Sequence, residues 1–266
     1  MTPASVGFQC PECVAQGRRT VRQPKRGFAA RSAFRAMPVT WTLIGINIAV
    51  FLLVQVIPDA VLYDLMLHAR GFCTFQGLTG VTNHAHCSAL GGTFSPGVAD
   101  GGYWLLLTSV FTHQQLLHVA LNMFSLWMIG PLLESGLGRA RYLATYLLCG
   151  LAGSALVYWA ASPYSPTLGA SGAIFGLLGA LIVLFARRGL PVQQLVVVAA
   201  LNFAFTFGSA AISWQAHVGG FIAGLVIGAV LAYVPGRRGG RLQWTGLAGV
   251  AVTLAIAVLL RTMQLS

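Results

Sequence analysis

The sequence predicts an all-α polytopic membrane protein, on three observations. Hydrophobic residues make up 56% of the chain and charged residues only 8%, where a soluble domain carries roughly a quarter charged. Mean hydropathy is +0.76, and the apolar residues fall into seven separate runs, each near the ~17–25 residues that carry a helix across the hydrocarbon core. Short alternating segments with regular turn signals, which mark a membrane β-barrel, are absent, so helices are left to satisfy the backbone inside lipid.

Residues 1–38 read as a basic tail with Gly, Pro and Arg and no helical period, expected to be mobile. The first apolar run, Thr40–Ile57, is too long for the h-region of a cleavable signal and reads as a signal anchor. The Arg-rich, acid-poor start also resembles a mitochondrial presequence, which makes an organellar location the alternative. Residues 58–102 form a connection rich in Gly, Thr, His and Asp. It is too long for a simple link and is expected to pack on or into the membrane surface. Six further runs follow: Leu116–Leu133, Tyr142–Ala161, Gly169–Ala186, Val192–Phe207, Gln215–Val234 and Trp244–Leu260. The last lacks a glycine ladder and reads as an appended structural helix.

The formal charge of +11 could suggest nucleic acid, but its distribution argues otherwise. Arg18, Arg19, Arg22, Lys25, Arg26, Arg31 and Arg35 precede the first run. Arg139 and Arg141, Arg187 and Arg188, and Arg237, Arg238 and Arg241 lie in alternate connections. Only Arg70 and Arg261 fall on the other side. Under the positive-inside bias this places the N-terminus in the cytoplasm and residues 58–102 outside. The charge encodes orientation, and no nucleic-acid partner is expected. Cys10 and Cys13 offer two of the four ligands of a structural zinc site, and the tail has no histidine to complete it. Cys73 and Cys87 share the outer loop, where spacing alone leaves a disulfide open.

Polar residues at membrane depth are functional candidates by default. Here they are His113, His118 and Asn122 at the start of the second span, Ser171 at the start of the fourth and His217 near the start of the sixth. Even-numbered spans run in the same direction, so these residues share one depth. Ser171, in Gly169-Ala170-Ser171-Gly172, stands at a helix N-terminus, where free N–H groups and the dipole suit a developing oxyanion. A serine hydroxyl needs a neighbouring base, and His217 is the candidate. Gly172 and Gly176 on one helix, with Gly220 and Gly224 on the other, supply the small faces that allow close packing. The five acids are Glu12, Asp59, Asp64, Asp100 and Glu134. None belongs to the depth of His217, so a Ser–His dyad is expected, its base oriented by packing or by a neutral group. His118 and Asn122, four apart, share a helix face and are assigned to the oxyanion hole. His113, five residues before His118 and about 140° away by helical period, is assigned to the entrance or to a supporting role there.

A serine in a glycine-rich span is commonly a packing residue, and Gly-x-Ser-Gly alone is a weak motif. The conjunction of a His/Asn pair, a serine and a histidine at one depth on three helices is what raises it. Three histidines could bind metal, but His113 and His118 do not share a helical face and no HExxH occurs, so neither metal nor cofactor is expected.

These residues resemble the rhomboid family. The resemblance runs from about Val39 to Tyr233. It includes His113-xxxx-His118-xxx-Asn122, Gly130-Pro131-Leu132-Leu133-Glu134 with Gly138-Arg139-Ala140-Arg141-Tyr142, Gly169-Ala170-Ser171-Gly172, and Ala216-His217-Val218-Gly219-Gly220-xxx-Gly224. It implies a six-helix rhomboid core over residues 39–234. Residues 235–266 would then be a cytoplasmic loop and a seventh transmembrane helix, as in the bacterial six-plus-one form. It also implies a serine endopeptidase of the cell membrane (bacterial plasma membrane) that cuts single-pass transmembrane proteins in or near their membrane segment. The fifth span and the loop before the sixth would act as a substrate gate. The alternative is a non-catalytic rhomboid-like protein that binds transmembrane helices; a transporter would show an inverted repeat or a polar pathway through the membrane. Leu105 stands where family members often carry Arg, a departure that bears on how the first loop is anchored.

Overall fold

The structure, a computed structural model, describes residues 2–3, 8–10, 12, 37–56, 59–234 and 240–265. The chain divides into two compact units, Met1–Ala36 and Met37–Ser266, and the second carries all that follows. Cys13, the basic residues from Arg18 to Arg35, and Arg237 and Arg238 lie outside the described residues.

Among the described residues, seven long apolar helices frame the second unit: α1 (Pro38–Val54), α2 (Leu116–Leu137), α3 (Arg139–Ala160), α4 (Ser171–Arg187), α5 (Gln193–Phe207), α6 (Trp214–Tyr233) and α7 (Arg241–Leu265). Among the described residues, α2, α3, α6 and α7 are long and apolar enough to cross a membrane, while α1, α4 and α5 are shorter apolar helices. At ~1.5 Å per residue, the 17 residues of α4 fall short of the ~30 Å core. The chain ahead of α4 is non-helical and is satisfied by the long connection and the segment that follows it: Leu67 and Thr167 exchange backbone hydrogen bonds, and Gly169 N–H donates to the Ser109 carbonyl at 2.9 Å. Irregular backbone at membrane depth needs such partners.

α1 opens with proline at its first turn, where the missing N–H costs nothing. It has no side-chain cap of its own. Glu134 near the end of α2 supplies one, accepting from Val39 N–H at 3.0 Å, Thr40 N–H at 2.8 Å and the Thr40 hydroxyl at 2.8 Å. A buried carboxylate is thereby satisfied, and the first two helices are tied at one end.

α6 packs most extensively against α4 and next against α3, and glycines explain why. A β-carbon on Gly220 would overlap the Gly172 carbonyl oxygen, one on Gly224 the Gly176 carbonyl oxygen, and one on Gly176 the Cys149 side chain. On the α3 side a β-carbon on Gly153 would lie 2.7 Å from the Ala216 oxygen, and one on Gly219 2.6 Å from that of Ala152. Backbones in contact leave no room for a side chain. α5 is the opposite case, with Ala199 and Thr206 its two buried residues.

The terminal helix is longer than the expected Trp244–Leu260 and is held by polar residues beyond that apolar run. Gln243 donates to the Leu231 and Val234 carbonyls, each at 3.1 Å, the Tyr158 and Thr262 hydroxyls meet at 3.0 Å, and Arg261 donates to the Tyr158 carbonyl at 3.3 Å.

The long connection contains an antiparallel sheet that its composition does not announce: β1 (Phe72–Phe75) between β2 (Leu78–Val81) and β3 (Thr93–Ser95). Its strands have three or four residues, too few for an alternating pattern to register. A two-residue turn at Gln76-Gly77, both with positive φ, closes the β1–β2 hairpin in the sense that suits strand twist. Cys73 and Cys87 form a disulfide that ties β1 to the short helix His84–Ala89. Leu67, Val98 and Leu105 join Ala155, Tyr158 and Val258 in an apolar cluster, which seats the connection on α3 and α7. Leu105, fully buried, is anchored there by packing. Beside it, the Trp104 indole N–H donates to the Asp64 carbonyl at 3.0 Å, and Asp100 accepts from Gly71 N–H at 2.7 Å.

Candidate active site

Ser171 is the first residue of α4, so its own N–H and those of the next residues are among the helix's unpaired donors. Ala170 in the cap position makes no side-chain hydrogen bond to them. Gly169, just before, has φ +124°, and a β-carbon there would press on the His118 imidazole at 2.7 Å. Only glycine lets the chain turn into α4 this close to His118.

His217 stands on the first turn of α6, and its Nε2 lies 2.7 Å from Ser171 Oγ. The α4–α6 glycine contact sets that distance, because it holds the two helix starts at backbone separation. The imidazole stacks on Phe175, with ring centroids 4.1 Å apart and planes at 12°. Phe175 is four residues after Ser171 and so shares its helix face. On the opposite edge, His217 Nδ1 lies 2.7 Å from Thr206 Oγ1 of α5, and that hydroxyl donates to the Asn202 carbonyl at 2.8 Å. The ring is therefore held by its face and both nitrogens, with a neutral hydroxyl where hydrolase triads place a carboxylate.

Ser171 and His217 open on a cavity of about 1100 Å³ that is also lined by His118, Asn122, Gly153, Ser154, Thr206, Phe207 and the segment from Ser209 to Ala216. His118 and Asn122 share one face of α2, and Asn122 Nδ2 donates to the His118 carbonyl at 3.0 Å. That bond orients the amide and leaves it a second N–H to give.

His113 is expected to shape or support the entrance. α2 begins at Leu116 with Gln115 as its cap, so His113 precedes the helix and the five-residue spacing does not measure an angle around it. It is fully buried, its ring packs edge-on to His118 at 5.0 Å, and its Nε2 accepts from Ala170 N–H at 3.4 Å. It supports His118 and the α4 start from behind. Among the described residues, no three His, Cys, Asp or Glu side chains converge as metal ligands.

Thr206 and Phe175 are the site residues that the sequence reading does not contain. Phe175 had a weak signal in its four-residue spacing from Ser171; Thr206 had none, since its partner lies on another helix.

The Rhomboid domain family matches residues 100–234, half of the chain. Rhomboid protease GluP of Bacillus subtilis (strain 168) is 36% identical over 157 residues, covering 57% of this chain and 31% of that protein. RHOMBOID-like protein 5 of Arabidopsis thaliana is 34% identical over 146 residues, 52% of this chain and 47% of its own length. Putative rhomboid protease YdcA of Bacillus subtilis (strain 168) is 31% identical over 150 residues, 54% of this chain and 75% of its own. The chain thus spans less than half of the first two relatives and three quarters of the third.

Proposed function

The chain belongs to the rhomboid family, and from that premise we propose that it is an intramembrane serine endopeptidase with Ser171 as nucleophile and His217 as general base. The observation that carries this reading is the 2.7 Å contact between Ser171 Oγ and His217 Nε2, made at an uncapped helix N-terminus facing a cavity.

In the proposed reaction Ser171 Oγ attacks the scissile carbonyl carbon while its proton passes to His217 Nε2. The carbonyl oxygen becomes an oxyanion, held by the Ser171 N–H, the His118 ring and the second N–H of Asn122. Collapse breaks the C–N bond, and the imidazolium gives its proton to the leaving amine. Water then attacks the acyl-enzyme under the same base, which releases the acid and restores Ser171. The substrate class that the family resemblance implies is a single-pass transmembrane protein cut in or near its membrane segment, where a helical segment must be locally unwound for its carbonyl to reach Ser171. In this reading the chain resides in the bacterial plasma membrane with its N-terminus cytoplasmic and Ser171 in the outer half. Arg139, Arg141, Arg187, Arg188 and Arg241 stand at the helix ends remote from Ser171, which supports that orientation.

The test is covalent labelling of the detergent-solubilised protein by a fluorophosphonate probe. Wild type is expected to label, with labelling lost in Ser171→Ala, in His217→Ala and after heat denaturation. Folded wild type that resists both this probe and a smaller electrophile would remove the hydrolase reading and favour a non-catalytic helix-binding protein.

A further inference from the structure

We propose that Thr206 is the positioning residue of the pair, holding His217 as the tautomer protonated on Nδ1 so that Nε2 is free to take the proton of Ser171. The inference rests on the hydrolase reading and goes beyond it, because it assigns a function to a helix that contributes neither nucleophile nor base.

A threonine hydroxyl has one proton and two lone pairs. Thr206 Oγ1 has two partners, the Asn202 carbonyl at 2.8 Å and His217 Nδ1 at 2.7 Å. A carbonyl only accepts, so the proton belongs on the Asn202 bond, the usual threonine back-bond one helical turn earlier. Nδ1 can then approach at 2.7 Å only as a donor. A neutral imidazole carries one proton, so Nε2 has a lone pair, and it faces Ser171 Oγ at 2.7 Å. The reversed chain, Thr206 to Nδ1 and Nε2–H to Ser171, would set the Thr206 and Asn202 oxygens 2.8 Å apart with no proton between them. It would also leave the serine proton without a base.

The same bond serves the next stage. Once His217 has taken the serine proton, Nδ1–H donates from a cation, and such bonds are shorter and stronger than neutral ones. Thr206 is 2% exposed on a helix whose Leu201, Phe205 and Phe207 side chains are exposed. A hydroxyl turned inward from so apolar a helix costs free energy unless it is bonded; one of its bonds is the back-bond to Asn202, and the other meets His217.

The experiment uses the full-length protein in lipid vesicles. Solid-state nitrogen NMR of histidine-labelled wild type, with the His217 signals identified by their loss in His217→Gln, is expected to show protonated Nδ1 and unprotonated Nε2. Thr206→Val, which keeps shape and removes the hydroxyl, is expected to slow fluorophosphonate labelling by about 10–10²-fold, part of what a general base contributes, with the thermal midpoint held. Thr206→Ser is expected to restore the rate. A wild-type His217 protonated on Nε2 would overturn the proposal, and so would a Thr206→Val protein that labels at the wild-type rate; the wild-type spectrum decides even if Thr206→Val does not fold. Wild type that never labels removes the hydrolase reading and this proposal together, whereas wild type that labels beside an unaffected Thr206→Val removes only the role of Thr206.

Discussion

His217, the proposed base, is held from two sides by regions built on opposite principles. Toward α4 the walls are backbone: Gly172 and Gly176 meet Gly220 and Gly224 with no space for a methyl group. Toward α5 the contact is one hydroxyl, from a helix that buries only Ala199 and Thr206. Backbone contact sets a distance firmly, because at these glycines neither helix has a side chain that can repack. A single hydrogen bond sets a direction and breaks when its helix shifts. The separation between Ser171 and His217 is therefore built into the rigid part, and in the proposed reading the protonation pattern of His217 is entrusted to the part with the weaker hold.

Breaking the backbone wall should have the largest effect. Gly220→Ala places a β-carbon on the Gly172 carbonyl, and the helices must separate. Fluorophosphonate labelling is expected to fall below detection and the thermal midpoint to drop, since overpacking costs about 1–3 kcal/mol or more where backbone cannot yield. Labelling near wild type in that variant would show that the contact does not set the Ser171–His217 distance.

The α2 face, which acts through side chains alone, should come next. Asn122→Ala is expected to lower turnover of a co-expressed single-pass substrate by about 10²–10³-fold, the usual cost of one oxyanion donor, with labelling of the folded protein retained at a reduced rate. Unchanged turnover would remove Asn122 from the oxyanion hole.

Substitution on the outer face of α5 should have the smallest effect. Leu201 is 65% exposed on the same helix as Thr206, and Leu201→Ala is expected to change stability by less than about 0.5 kcal/mol and the labelling rate by less than about twofold in the same ordinary surface regime. A large loss there would mean that the whole helix, and not its inward hydroxyl, supports the base.

Much of the fold was legible because each apolar helix has its own signal. The sixth run, expected at Gln215–Val234, is observed as Trp214–Tyr233, and the fifth, expected from Val192, starts at Gln193. The four packing glycines were legible for the same reason, since a four-residue spacing defines one helix face. The angle between His113 and His118 was not legible, because α2 starts only at Leu116 and the helical period does not reach back to His113. The sheet and the Cys73–Cys87 bond were not legible, because short strands and a disulfide are pairings between separate segments.

What the sequence by itself determined is the membrane class, the number and approximate limits of the apolar helices, and the candidate pair Ser171 and His217. Each of these is encoded along the chain by local hydropathy, local spacing or the rarity of polar residues in lipid. Only the tertiary structure decided that Phe175 lies under the imidazole, that Thr206 meets its far nitrogen, and that His113 stands behind His118. Those facts depend on how separate helices rotate and lean against one another, and that is settled by packing across the bundle, where spacing within one helix carries no information.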